Sequence, residues 1–302
     1  MKALIPSMLV GALALFVVAQ KPGGEQAPPG TAEKISAALP EKAYATPKKK
    51  RKILVVSKTN GYRHKSIPVG KVMFEVMAKK TGAFDVVISD DLANFEASRL
   101  KEFDAVCFLN TTMNVFAPHK NRLKKMSEQE KEEAKVLELR LKDNLMKFVK
   151  SGRGFIGIHA ATDTCYEWPE YGEMMGGYFS GHPWRAGTDV SVKVEPGREA
   201  HPLVAMFEGK NVDFKEEIYQ FKEPYDSSKV DMLLRLDTEK SDMKVKGQRK
   251  DGDFGIAWTK SWGKGRVFYC SLGHNNHIYW NETIARHYLA GIQWALGDYA
   301  VE

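Results

Sequence analysis

The stretch GFIGIHAATDTCYEW (residues 154–168) is a continuous apolar run that ends in a turn of small residues. An apolar run of this length predicts a strand buried on both faces of a parallel sheet. The turn after such a strand is where many hydrolases place a serine or cysteine nucleophile. In this chain the residue at the tip of the turn is His159, so an imidazole stands where a nucleophile is expected.

Strand and helix patterns alternate on the N-terminal side of this stretch. The strand-like segments are KILVVS (52–57), FDVVISDD (84–91), the end of SRLKEFDAVCFLNTT (98–112) and GFIGIHAA (154–161), and the helical ones are SIPVGKVMFEVMAKKTG (66–82) and SEQEKEEAKVLELRLKDNLMKFVKSGRG (127–154). The second helix opens with a capping box, Ser127 with Glu130. This alternation predicts an α/β fold with a doubly wound, mostly parallel sheet and helices on both faces.

The C-terminal half has more strand-like segments than the N-terminal half. They are TDVSVKV (188–194), DMLLRLDT (231–238) and FGIAWTKSWGKGRVFYCSLGH (254–274), and the helical pattern NETIARHYLAGIQWALGD (281–298) follows them. We interpret 51–302 as one domain with a strand-rich second half. Exposed strand edges in this half make a homodimer possible, because an unpaired edge offers free backbone hydrogen-bonding groups.

The N-terminus has the pattern of an export signal. Lys2 precedes an apolar run over 9–18 and the small residue Ala19, which is typical of a secretory signal peptide over 1–19. The run is too short for a spanning helix, so no stable membrane insertion is expected after cleavage. Residues 20–50 are rich in Pro, Gly, Ala and Lys and predict a flexible linker. We therefore expect a periplasmic or secreted protein.

Charge and cysteine content exclude two classes of protein. The net charge of +7 is partly concentrated in KKKRK (48–52), and no stripe of arginine interleaved with aromatic residues accompanies it, so nucleic-acid binding is not expected. Cys107, Cys165 and Cys270 are odd in number and irregularly spaced, which argues against a disulfide framework.

Four of the eight histidines follow strands or lie in adjoining glycine-rich loops: His64, His159, His182 and His274. The carboxyl ends of parallel strands share one edge of the sheet, so these imidazoles are expected to converge. With a carboxylate they suit a divalent metal such as Zn, Mn or Fe, or a proton-transfer pair. Neither HExxH nor CxxC occurs, and the spacing leaves both readings open.

Aromatic and polar residues crowd the same loops, which is what a sugar-binding cleft offers because the C–H faces of sugars stack on aromatic rings. Trp184 and Trp280 could equally pack the core. The candidate substrate-binding residues are Tyr62, Asn110, Thr162, Trp168, Trp184, Asn275 and Trp280.

The motifs NGYRHKSI, GFIGIHAATDT, GGYFSGHPW, EEIYQF, GIAWTKSWGKGRVFYCSLGH and RHYLAGIQWALGD occur in this order and resemble the ThuA-like family, named for trehalose utilisation, over about residues 52 to 298. The resemblance implies the flavodoxin-like fold of class I glutamine amidotransferases. In those enzymes a cysteine nucleophile lies within G-x-C-x-G at this corner. Here His159 takes that position between Gly157 and Ala161, and Cys165 lies too far along, so glutamine hydrolysis is not expected.

The resemblance further implies sugar catabolism, particularly of disaccharides oxidised to 3-keto forms. A ketone at C3 acidifies the proton at C2, so a base and an electrophile can promote loss of the substituent at C1. The predicted catalytic residues are His159, His64, Asp163, Glu217 and Tyr219, and the candidate metal ligands are His64, His159, His182 and His274. Lyase and hydrolase chemistry both remain open. The alternative is a non-catalytic sugar-binding module of the same fold.

Overall fold

A nine-stranded sheet organises the chain in the computed structural model, which describes residues 25–301. The predicted signal peptide, 1–19, lies outside the described residues. The strands are β1 (Lys52–Val56), β2 (Asp85–Ile88), β3 (Ala105–Leu109), β4 (Gly154–Ile158), β5 (Tyr178–Trp184), β6 (Asp189–Val194), β7 (Val212–Lys215), β8 (Ile218–Lys222), β9 (Asp231–Leu236), β10 (Gly255–Trp262) and β11 (Gly265–Cys270).

The sheet has a parallel half and an antiparallel half. The order is β2-β1-β3-β4-β11-β10-β9-β6-β7, and β5 and β8 form a separate two-stranded antiparallel sheet. Strands β2, β1, β3, β4 and β11 are mutually parallel, and the other four extend the sheet with antiparallel pairings. The predicted mostly parallel sheet with a strand-rich second half is confirmed.

Helices cover both faces of the parallel half. They are α1 (Thr31–Ala38), α2 (Ile67–Thr81), α3 (Ala97–Leu100), α4 (Lys120–Leu123), α5 (Glu128–Lys150), α6 (Pro169–Met175) and α7 (Glu282–Ala295), with short 3-10 turns at Leu92–Phe95, His159–Thr162, Pro202–Phe207, Ser227–Lys229 and Asn276–Trp280. Successive strand residues point to opposite faces, so β1 sends Ile53 and Val55 toward α2 and α7, and Leu54 and Val56 toward α5 and α6. Each buried aliphatic side chain contributes about 1.5–3 kcal/mol.

Local signals mark the helix ends where they were expected. Ser127 and Glu130 form both hydrogen bonds of the capping box that starts α5. Gly82 ends α2 in the left-handed conformation, with φ of 66°, which a residue without Cβ adopts at no steric cost.

The predicted flexible linker over 20–50 is wrong for the part that the structure describes. Helix α1 packs on α2 and α7, and Ile35 within it and Leu39 directly after it are buried. The side chain of Gln293 in α7 accepts a hydrogen bond from the Tyr44 backbone at 2.8 Å. The segment has too few apolar residues to show a helical period. Ile35 and Leu39 nevertheless hold it in place, because they pack on the apolar surface that the rest of the core provides. Within residues 25–301, every helix is too short or too polar to cross a membrane.

Candidate active site

Three histidines from distant parts of the chain meet at the carboxyl edge of the parallel half. His64 lies in the loop after β1, His159 directly after β4 and His274 in the loop after β11. The ring centroids of His64 and His159 are 4.7 Å apart, those of His64 and His274 5.3 Å, and those of His159 and His274 5.5 Å. Because these strands run in the same direction, the loops that follow them lie at one edge.

A carboxylate from the segment that leads into the separate two-stranded sheet completes this cluster. Glu217 immediately precedes β8, and its Oε1 lies 3.2 Å from His274 Nδ1 and 3.7 Å from His159 Nε2. One ligand atom each from His64, His159, Glu217 and His274 lie within 4.8 Å of one another. We refer to these four residues as the His/Glu cluster.

The corner that carries His159 has the shape predicted from the sequence. The strand β4 ends in a 3-10 turn, and His159 has a φ of 50°, which is uncommon and strained for a residue with a Cβ. A Cβ at Gly157 would lie 2.6 Å from Met175 Cε and 3.1 Å from Ala161 Cβ, so the turn requires a small residue there. The Tyr269 hydroxyl donates to the His159 carbonyl at 2.8 Å and holds the turn.

The hydrogen bonds of His159 define which nitrogen faces the cluster. Its Nδ1 is 2.6 Å from the Ser271 carbonyl, which can only accept, so Nδ1 carries the proton and Nε2 presents a lone pair. This Nε2, the Nδ1 of His64 and the Nδ1 of His274 are buried without a hydrogen-bond partner. The lone pair of His159 Nε2 is buried 3.7 Å from the Glu217 carboxylate, which is unfavourable unless a cation lies between them.

Burial keeps two of the imidazoles neutral. It lowers the pKa of His64 to about 3 and that of His159 well below its usual value, and nearby histidines add to both effects. Burial alone would lower the pKa of His274 as well, but the Glu217 and Glu216 carboxylates outweigh it and raise that pKa. The neutral imidazole is the form that coordinates metals.

The donor set fits a divalent metal ion. Metal–nitrogen bonds of about 2.0–2.1 Å place neighbouring ligand atoms about 3.4 Å apart in a tetrahedral site. The measured separations of 3.2 Å and 3.7 Å bracket this value. Three imidazoles and one carboxylate suit zinc, manganese or iron. The His/Glu cluster could therefore hold a metal with small side-chain movements.

His182 lies beside the His/Glu cluster and outside the group of four, so its role as a metal ligand stays a prediction. Within GGYFSGHPW, residues 178–184 form strand β5, where a glycine-rich loop was expected. His182 is 41% exposed, and its Nδ1 lies 3.5 Å from Oε2 of Glu217, whereas His159 and His274 approach the other oxygen, Oε1. This exposure leaves its ring open to solvent at the edge of the site.

Asp163 follows the turn that carries His159, and Tyr219 packs against the His159 ring. The Tyr166 hydroxyl donates to Asp163 at 2.5 Å, yet burial raises the pKa of Asp163. Tyr219 is buried with its ring centroid 4.4 Å from that of His159, and burial raises its pKa well above the usual value. Tyr219 therefore packs as a neutral phenol against the cluster.

Three of the predicted substrate-binding residues lie on a cleft beside His274. Tyr62, Asn275 and Trp280 line this cleft, whose volume is about 440 Å³. Tyr62 is 58% exposed, and its ring lies parallel to the His274 ring with centroids 6.5 Å apart. Trp280 is partly buried, with the Lys34 ammonium 4.9 Å from its ring centroid. Trp280 also packs against the hydrophobic core, so both alternatives considered for it, core packing and cleft lining, apply.

The other four predicted substrate-binding residues lie inside the protein, so the structure does not place them to contact a sugar. Trp184 donates to the Asp242 carbonyl and packs on Phe254, and Trp168 stacks on Tyr171. Indole rings supply large apolar surface, and these two are used by the core.

Asn110 and Thr162 are fully buried and support the site through hydrogen bonds. The Asn110 amide donates to Ser66 at 2.9 Å and Thr162 is 2.9 Å from the Tyr269 hydroxyl. The sequence places both at strand ends, but it does not show that their side chains turn inward.

Glu216 is a site residue that the predicted sets of catalytic, substrate-binding and metal-binding residues leave out. It is fully buried and accepts hydrogen bonds from the backbone N–H groups of Gly273, His274 and Asn275. The pair Glu216-Glu217 before a strand was the available signal, since neighbouring residues in extended chain point to opposite sides. Whether Glu216 or Glu217 faces the histidines depends on how the segment leading into β8 passes the edge of the nine-stranded sheet.

Comparison with known proteins agrees with this architecture. The model of a family named ThuA and described as trehalose utilisation matches residues 52–295. Among curated proteins none matches the sequence significantly. A crystal structure of a ThuA-like protein from Bacteroides uniformis ATCC 8492 is similar with a TM-score of 0.63 at 21% identity, over 83% of this chain and 94% of that one. A ThuA-like protein from Parabacteroides merdae ATCC 43184 has a TM-score of 0.53 at 16% identity, over 84% and 93%.

Proposed function

The chain belongs to the ThuA family, and from this premise we propose that it is an exported enzyme that processes oxidised (3-keto) glycosides or disaccharides. The observation that supports catalysis most strongly is the trio of buried, unpartnered imidazole nitrogens around Glu217. Such atoms are costly in a folded protein unless a ligand satisfies them, so a site for a cation and its substrate accounts for them.

The His/Glu cluster is proposed to hold a divalent ion, zinc, manganese or iron. When bound, the ion supplies Lewis-acid stabilisation of a developing sugar oxyanion. His159 is oriented for this role by Ser271, whose carbonyl fixes the tautomer at 2.6 Å.

Asp163 and His182 are proposed to move the protons. Asp163 is partly exposed with a raised pKa, and His182 is exposed at the edge of the site. In the proposed reaction a base takes the C2 proton, the C–H electrons form the C1=C2 bond, and the C1–O bond breaks. The leaving oxygen takes a proton from the partner acid. Addition of water to the product gives net hydrolysis, and release without water gives a lyase.

The cleft lined by Tyr62 and Trp280 is proposed to bind the sugar next to the departing oxygen. The exposed ring of Tyr62 and the partly buried ring of Trp280 offer stacking surfaces, and Asn275 in the same lining offers polar contacts. The same cleft supports the alternative function, a sugar-binding module without turnover.

Turnover of matched substrates tests the proposal. A 3-keto-glycoside with a nitrophenyl leaving group should release nitrophenolate with the metal-loaded protein, whereas the parent glycoside should not, because its C2 proton is not acidified. The Asp163→Asn variant should slow release by about 10²–10⁴-fold, the usual contribution of general acid–base catalysis. Tight binding of the 3-keto-glycoside without release would favour the sugar-binding alternative. Release from the parent glycoside at the same rate would refute the mechanism.

Export rests on the sequence pattern of 1–19 alone. The mass of the protein recovered from its native host should correspond to a chain that begins near Gln20. A full-length mass, including Met1, would contradict the proposed cleavage.

A further inference from the structure

The Glu216 carboxylate binds a run of backbone N–H groups in the loop that carries His274. Its Oε1 lies 3.2 Å from the Gly273 nitrogen and 2.6 Å from the His274 nitrogen, and its Oε2 lies 3.1 Å from the Asn275 nitrogen. Successive N–H groups directed at one anion form a nest, a common way to bind a negative charge. Here the anion is a side chain of the same chain, and it is fully buried.

Burial of this carboxylate opposes its ionisation. The N–H groups of the loop offset this cost by donating hydrogen bonds to the carboxylate. All three donors lie in consecutive residues, so the favourable interactions depend on one conformation of that loop. A buried charge whose partners are a single loop makes that conformation strongly preferred over its alternatives.

The same loop is held from its other side. The Gly273 carbonyl accepts hydrogen bonds from the Ser66 hydroxyl at 2.7 Å, the Asn110 amide at 3.2 Å and the Tyr279 hydroxyl at 3.1 Å. A Cβ at Gly273 would lie 3.2 Å from the Cβ of His159, so the loop passes directly against the corner after β4. The loop is thus fixed between the segments that follow β1, β3 and β4.

We propose that Glu216 is a positioning residue, which fixes the backbone over 273–275 and thereby directs His274 toward Glu217. The two adjacent carboxylates thus have different roles: Glu217 contacts the imidazole rings, and Glu216 accepts hydrogen bonds from the backbone of the loop that carries His274. This inference rests on the proposed metal-dependent function, but the geometry it describes exists without metal.

Metal-free protein provides the first test. The His274 amide proton, hydrogen-bonded over 2.6 Å to a carboxylate, should resonate far downfield in a ¹⁵N–¹H spectrum. Glu216→Gln keeps the size but turns an N–H donor toward the loop, so this signal and the His274 ring nitrogens should shift. Glu138→Gln, which alters the carboxylate paired with Lys142 on α5, is the control and should leave them in place. Unchanged His274 signals in Glu216→Gln would overturn the inference.

Metal titration provides the second test. Chelator-treated protein titrated with Mn²⁺ or Zn²⁺ should bind about 10–100-fold more weakly as Glu216→Gln than as wild type, the usual effect of losing a group that orients a ligand. Glu138→Gln should bind as wild type does. A Glu216→Gln protein that melts earlier but keeps wild-type affinity would show a merely structural role and overturn the inference. Wild-type protein that binds metal without turning over a 3-keto-glycoside would refute the proposed function and leave this result standing.

Discussion

Replacement of His159 by asparagine isolates the contribution of the imidazole at the tip of the corner. Asparagine tolerates the left-handed backbone better than most residues, and the φ of 50° at this position therefore persists. Its side-chain amide can also donate toward the Ser271 carbonyl, as the Nδ1 of His159 does. The substitution thus removes Nε2, the atom that faces Glu217, with little change in backbone strain.

The expected loss of metal affinity follows from the number of ligands. Structural zinc sites bind with about 10–16 kcal/mol, which shared over the four ligands of the His/Glu cluster is about 2.5–4 kcal/mol each. At about 1.4 kcal/mol per factor of ten, His159→Asn should weaken Zn²⁺ binding by about 10²–10³-fold. A water molecule that enters the vacated space would move the result toward the lower end.

Calorimetric titration of chelator-treated protein with Zn²⁺, supported by competition with a chromogenic chelator, measures this loss. His287→Asn is the matched control, because His287 is also fully buried with its Nδ1 on a backbone carbonyl, that of Leu203 at 2.7 Å. His287 lies outside the His/Glu cluster, so the affinity of the His287→Asn protein for Zn²⁺ should equal that of wild type. If folded His159→Asn and wild type bind Zn²⁺ within about threefold of each other, His159 is not a ligand and the reasoning from its unpartnered Nε2 fails.

Three further predictions concern stability. Burial lowers the pKa of His287 to about 4, whereas its unfolded value is about 6.5, so protonation favours the unfolded state and the stability provided by the neutral ring is lost as pH falls below 6.5. Between pH 7.5 and about 5, the unfolding free energy of wild type should fall by about 2 kcal/mol more than that of His287→Asn. Parallel pH profiles of the two proteins in urea denaturation would contradict this. Gly291→Ala should cost about 1–3 kcal/mol because its Cβ would overlap the Phe268 ring, whereas Gly187→Ala, with open space around it, should cost far less; equal urea midpoints would refute the packing argument. Ser127→Ala should cost about 1 kcal/mol by loss of the capping box at α5, and a midpoint identical to wild type would show that the cap contributes nothing.

The fold could be predicted because its signals are local. Apolar runs, the spacing of apolar residues in α2 and α5, and the cap at Ser127 are properties of short segments, and each agrees with the structure. The convergence of His64, His159 and His274 followed as well, because parallel strands bring the loops after them to one edge.

The details of the site depend on contacts that no short segment contains. His182 lies in β5 and Glu217 immediately before β8, and the placement of this two-stranded sheet over the sheet edge decides that Glu217 enters the cluster while His182 remains beside it. Trp184 is likewise buried because of the core residues that it packs against, which lie far from it in the sequence.

The sequence by itself therefore determined the elements, the parallel core and the histidines at its edge, since periodicity and strand direction are encoded along the chain. Only the tertiary structure decided that Glu217 faces the imidazoles while Glu216 binds the loop over 273–275. The physical reason is that two adjacent carboxylates are chemically equal, and their roles separate only when a strand from a distant part of the chain fixes which side each one faces.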